Sequence, residues 1–206
     1  MAYVKAAERE KQIVAAAIRV LSDVGVSGTT LRAVAAEAET PLGTLHYVFP
    51  SRDQLLRAVI ATVIDDVLDA VQADLEPDRG VAHAIRHSVR NFWDKLVEGD
   101  VGLQIMQYEL AMYSARTEDA GSLARLQYDQ YTTLVTEFYR RAADAAGERC
   151  AVDFDTLGRL SLAMVDGLII QYVTKPDTVR ARGDLDRAVD MIVQFADPQP
   201  APRRTS

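Results

Sequence analysis

Cysteine is nearly absent from this 206-residue sequence. Cys150 stands alone, which excludes an internal disulfide and any cysteine-built structural zinc site; following Arg149 in a loop, it reads as an incidental small residue. Glycine and proline are sparse, 11 and 7 residues, which suits continuous helices. The longest apolar run, residues 160–173, is too short for a bilayer and carries Asp166. Met1-Ala2-Tyr3-Val4-Lys5 leads straight into charged residues without a secretory pattern, so a cytoplasmic protein is expected. No G-x-S-x-G, G-x-G-x-x-G, Walker loop or H-E-x-x-H occurs, and neighbouring carboxylates such as Asp65 and Asp66 face different directions on a helix. An enzyme is therefore not expected. His83 and His87 have the spacing of a metal pair but no third ligand fixed beside them, so no metal or cofactor is expected either.

Positive charge is also scarce. The net charge is −7, but it is unevenly spread: residues 1–60 carry seven Lys/Arg against six Asp/Glu, and the remainder 16 against 24. The acidity belongs to the second part. If the first part binds nucleic acid it neutralises few phosphates, and helix N-termini and hydroxyls share the gripping.

What is present is helical periodicity. Ile13, Val14, Ala17, Ile18 and Leu21 predict a helix over residues 7–24, preceded by a short flexible arm and ended by Gly25. Further stripes predict helices over residues 51–74, 81–97, 101–115, 122–146, 155–172 and 184–196, with prolines at 198, 200 and 202 marking a frayed tail. Residues 101–115 are apolar around most of their circumference, as in a helix that is buried on several sides or lines a cavity.

The stretch from Thr29 to Leu56 carries the strongest signal. Thr30 caps a short helix whose apolar face is Leu31, Val34, Ala35 and Ala38, and Pro41 forces that helix to stop before it. A second short helix presents Leu42, Leu45, Val48 and Phe49 to a core and Thr44, His46 and Tyr47 outward; Pro50 ends it. Two such helices fit a helix-turn-helix, whose second helix enters the DNA major groove, but they also fit an ordinary helical hairpin with a solvated outer face.

The run A-E-T-P-L-G-T-L-H-Y-V-F-P-S-R-D-Q-L-L resembles the signature of the TetR family of bacterial transcription regulators. Gly43, Thr44, Leu45, Phe49, Ser51 and Leu55 match it, Arg52 and Asp53 replace the usual Lys and Glu, and the sequence departs at Glu39, Pro41 and His46. The resemblance implies an all-α TetR-like fold of about nine helices: a three-helix DNA-binding head over residues 1–50, a ligand-binding and dimerisation domain over 51–197, and a disordered tail over 198–206. It implies a ligand-responsive regulator, with repression as the expected mode, that binds a palindromic operator as a homodimer. An activator without an inducer, or a ligand-binding or adaptor protein whose head no longer binds DNA, is the alternative.

In this reading Arg32, Thr44, Tyr47 and Arg52 grip the DNA backbone; Thr40, Leu42, His46 and Tyr47 approach base edges; and Thr30, Pro41 and Gly43 complete the surface. A small apolar or aromatic effector is expected among Phe92, Trp93, Met106, Leu110, Tyr113, Tyr128, Tyr131 and Phe138, with Gln107, Glu109 and Asp166 as polar contacts. Most residues of this kind are plain core. By the resemblance, the two C-terminal helices dimerise through Leu157, Leu160, Ser161, Met164, Leu168, Leu185, Ala188, Ile192 and Phe195.

Overall fold

The periodic stripes become helices in the computed structural model, which describes residues 2–72, 76–116 and 121–202. Among the described residues there are nine α-helices: α1 (Ala2–Gly28), α2 (Leu31–Glu37), α3 (Leu42–Val48), α4 (Arg52–Gln72), α5 (Val81–Phe92), α6 (Val101–Arg116), α7 (Gly121–Ala146), α8 (Phe154–Thr174) and α9 (Thr178–Ala196). The fold is all-α, as expected. A two-residue antiparallel pair, β1 (Glu148–Arg149) with β2 (Gln199–Pro200), is the only strand pairing among them.

Four local expectations are corrected. The N-terminal arm is helical from Ala2 onward. Gly25 does break α1, with φ +73°, but Val26–Gly28 resume the helix. The start of the tail is ordered by β2, whose partner Glu148–Arg149 lies about fifty residues away in sequence and leaves no local signal. Finally, α9 begins at Thr178 rather than 184, because Asp177 caps it by accepting from the Arg180 N–H at 3.0 Å; Gly183 is simply tolerated inside the helix.

Two compact units are formed. The first comprises residues 1–66 and 100–127 and the second residues 67–99 and 128–206. In the first, α1 packs against α2 and α6, and α2 against α3. Ile13, Leu21, Val26, Val34, Leu45 and Leu110 are buried at its centre, each contributing on the order of 2 kcal/mol of transfer free energy. Helix α6 comes so close to α1 that a Cβ on Gly102 would lie 3.0 Å from the Ser22 carbonyl oxygen.

In the second unit α9 packs on α5 and α8. Four ion pairs made by three arginines run along the α5 side: Arg86 to Asp190 at 3.2 Å, Arg90 to Asp186 at 2.8 Å, and Arg182 to Asp94 and Glu98 at 3.0 and 2.8 Å. The pairs with Asp190, Asp186 and Asp94 are exposed enough to be worth about 0–1 kcal/mol each, whereas Glu98 is mostly buried; the four-residue spacing of the pairs fixes the antiparallel register of the two helices. The α5 helix runs on into a π-turn at Trp93–Val97, where the buried Trp93 donates its indole N–H to Glu98 at 3.0 Å and its ring meets Tyr172 at 5.6 Å. Arg182, then Trp93, hold the Glu98 carboxyl below the usual carboxylate range against an opposing desolvation effect. Helix α8 approaches α7 at Gly158, where a Cβ would stand 2.5 Å from Thr136 Oγ1.

Candidate nucleic-acid interface

Helix α2 starts where Thr30 accepts from the Ala33 N–H at 3.1 Å, and it closes through the Ala38 N–H to the Val34 carbonyl at 2.9 Å. The turn into α3 needs a residue with positive φ, and Glu39 adopts it at +46°. This is the position at which the sequence departs from the family's glycine, so the chain keeps the turn and accepts the strain of a side chain there. Pro41 is the N-cap of α3, and its carbonyl accepts from Thr44 and Leu45. Leu45 and Phe49 are buried beneath, and α3 therefore shows one face outward.

On that face stand His46 and Tyr47, the latter 87% exposed, with Pro41 and Gly43 beside them and Leu42 and Thr44 half-buried. A Cβ built on Gly43 would meet nothing within 4 Å, so no packing inside the chain requires a glycine there. Thr30 and Arg32 are exposed at the N-terminal end of α2. Thr40 differs from expectation: only 8% of it is exposed, so its hydroxyl points into the head rather than toward a base edge. Arg52 also differs. Its guanidinium donates to the Val26 carbonyl oxygen and lies over the Tyr113 ring, 5.3 Å from the centroid, a position already occupied within the chain. Arg19 is likewise engaged, bridging α1 to α2 through Glu37 at 2.6 Å.

The expected effector residues divide between the two units. Met106, Gln107, Leu110 and Tyr113 belong to the first, and Phe92, Trp93, Tyr128, Tyr131, Phe138 and Asp166 to the second. Met106, Leu110, Tyr131 and Phe138 are buried, and Trp93 serves as packed core with its N–H satisfied. Gln107 donates to Gln104 at 3.4 Å, and Gln104 is itself buried. Tyr128 is pushed up to about 12, first by burial and then by the charge and hydrogen bond of Asp166.

The expected dimer residues also divide. Leu157, Ser161, Leu185, Ala188 and Ile192, expected at a dimer interface, are buried within the single chain: each helix turns one apolar side inward. Met164 and Leu168 are half-buried. Leu160 and Phe195 face outward at 48% and 41% exposure, joined by Ile170 at 48% and Met191 at 58%. Gly167 lies along the same stretch of α8, and a Cβ there would meet nothing within 4 Å.

With this geometry in view, the chain can be set beside known proteins. Two short helices joined by a tight turn, with the second turning one face outward, have the form of a helix-turn-helix. Residues 13–59 match the family model of bacterial regulatory proteins of the tetR family, and residues 85–194 that of the BetI-type transcriptional repressor C-terminal part. The chain belongs to the TetR family. It is a DNA-binding regulator, and membership of this family makes it a non-enzymatic one. It is 27% identical over 184 residues to the HTH-type nicotine-responsive transcriptional repressor HdnoR of Paenarthrobacter nicotinovorans, covering 89% of this chain and 93% of the relative. It is 28% identical over 193 residues to the regulator BetI of Paraburkholderia phymatum, covering 89% and 91%. Among solved structures, a TetR transcription regulator from Haloarcula marismortui superposes with a TM-score of 0.73 at 19% identity, covering 94% of this chain and all of that one. Among the described residues, no helix is long and apolar enough to cross a membrane.

Proposed function

We propose that this protein is a cytoplasmic repressor that binds a palindromic operator as a homodimer and is released from it by a small aromatic effector. The observation that carries the DNA-reading part is the outer face of α3. Tyr47 and His46 project from it beside Gly43, a helical glycine with open space where its side chain would be. A glycine inside a helix costs about 0.5–1 kcal/mol relative to alanine, and close approach by a DNA backbone gives that cost a purpose. Arg32, Tyr47, Thr44 and Thr30 grip phosphates, while Leu42 and His46 meet base edges, with Pro41 and Gly43 completing the surface. Thr40 and Arg52 act from inside the head.

The outward stripe Leu160, Met164, Gly167, Ile170, Met191 and Phe195 supports the dimer. Large apolar side chains at this exposure along two adjacent helices form the kind of self-complementary patch that a twofold partner covers. Two heads then engage two half-sites, which offsets the weak electrostatic grip of a nearly neutral head. The nicotine-responsive relative supports an aromatic, nitrogen-containing effector, for which Asp166 and Tyr128 are the polar partners. Such a ligand weakens DNA binding by favouring a conformation in which α4 holds the heads at the wrong spacing.

The test is binding of the purified protein to DNA flanking its own gene at two salt concentrations, beside Tyr47→Ala and Arg32→Ala. Specific, salt-sensitive binding weakened by both changes supports the regulator. A folded dimer that binds no flanking DNA at low salt overturns the reading and leaves a ligand-binding or adaptor protein.

A further inference from the structure

The connection between α1 and α2 is held from outside the DNA-binding head, and by one helix. Glu109, in the middle of α6, accepts the Val26 N–H through Oε2 at 2.9 Å. On the other side of the same residue, the Val26 carbonyl accepts from Arg52, and Arg52 rests on the ring of Tyr113, one turn along α6 from Glu109. Both backbone polar groups of Val26 thus lead to α6, one directly and one through a guanidinium. The backbone is shaped for this grip. Gly25 takes φ +73°, and a Cβ on it would fall 2.6 Å from the Glu109 carboxylate, so only glycine lets the acid reach the amide. Thr29 secures the far side by donating its hydroxyl to the Gly25 carbonyl at 2.7 Å. The Val26 side chain is buried among the helices of the head, and Arg52 is the first residue of α4, the helix that follows α3.

We infer that Glu109 and Tyr113 are positioning residues for DNA recognition: α6 sets the pose of the reading head through Val26 and Arg52. This rests on the DNA-reading function proposed above. Tyr113 then belongs to the support of the head rather than to the effector's lining. Glu109 touches no DNA and acts only through the backbone it holds.

The test compares Glu109→Ala and Tyr113→Ala with the conservative Glu109→Gln, which keeps an acceptor oxygen, and Tyr113→Phe, which keeps the ring. Two quantities are read: affinity for the flanking operator DNA, and hydrogen exchange of the Val26 amide and the amides of α2 and α3. The alanine variants are expected to fold and associate like the native chain, to exchange Val26 about tenfold faster, and to bind operator about tenfold more weakly: Glu109→Ala loses the charge-assisted hydrogen bond to the Val26 amide, and Tyr113→Ala removes the ring that holds Arg52 against the Val26 carbonyl. The conservative variants stay within about threefold of the native affinity by the same reasoning. Faster exchange at Val26 with operator affinity unchanged overturns the inference, and so does unchanged exchange in both alanine variants. If the native protein itself binds no flanking DNA, the proposed function has failed instead, and the exchange measurement alone decides whether α6 holds the head.

Discussion

Two outward faces, that of α3 and that of α8 with α9, solve different problems, and each contains a glycine in open space. Gly43 sits among a proline, a histidine and a tyrosine, whereas Gly167 sits among leucine, methionine and isoleucine. A bare backbone beside polar tips suits a wet, charged partner. Beside large apolar side chains it suits the helix of another protein. Gly158 provides the contrast, since its missing side chain is explained inside the chain by Thr136. An unexplained glycine therefore points outward, and the residues around it indicate what comes near.

The comparison breaks most visibly on the apolar face. Leu160→Asp combined with Met191→Asp should convert the homodimer to a monomer in sedimentation while the helical spectrum persists, and operator affinity should fall by about a hundredfold or more as two-headed binding is lost. Dimers that survive this change remove the stripe as the interface. Next come the three glycines. Gly158→Ala should lower stability by about 1–3 kcal/mol in chemical denaturation through overpacking against Thr136. Gly43→Ala and Gly167→Ala should instead raise the stability of the folded chain by about 0.5–1 kcal/mol, the first with weaker operator binding and the second with weaker self-association. Equal effects at all three positions would erase the distinction.

A comparable gain, about 1 kcal/mol, is expected from Glu39→Gly, because the turn already has the backbone that glycine prefers. Denaturation midpoints at one pH measure it.

The smallest effect concerns the interior rather than either face. Burial raises the Tyr139 phenol from its ordinary 10 to about 12, against the opposing pull of the Ser161 and Ser88 hydroxyls, and Tyr128 reaches about 12 as well. Folding favours the neutral phenols, so their contribution is intact below pH 10 and disappears as pH rises through about 12. Tyr139→Phe should flatten part of that alkaline slope in a melting series. An unchanged slope would place the loss on other groups.

Much of this was legible from local pattern. Apolar spacing located the helices, Pro41 and Pro50 bracketed α3, and the motif identified the family. Legibility ended where a decision depends on distant residues. The α8 stretch is apolar on nearly every side, so periodicity could not tell Leu157, which is spent inside, from Leu160, which is not. Arg52 has the charge of a phosphate ligand and the motif position of one. Its engagement by Val26 and Tyr113 depends on α6, a helix that no local rule brings to the head. The π-turn at Trp93 is likewise invisible, because five residues of ordinary helix-forming composition fit either winding.

Glu148 has a consequence for time rather than for equilibrium. Its carboxylate accepts the Val81 N–H at 2.8 Å, the strand it belongs to pairs with Gln199–Pro200, and the Gly147 carbonyl accepts from Ala201 at 2.8 Å. Three places far apart along the chain therefore meet at one small knot, and each of its links closes a long loop. The helices fold on local contacts, but this knot must wait until α5, α7, α8 and α9 are in place. Links made that late contribute little to the speed of folding. Their effect is on departure, since they must be undone before the unit can open, and they lengthen the life of the folded state.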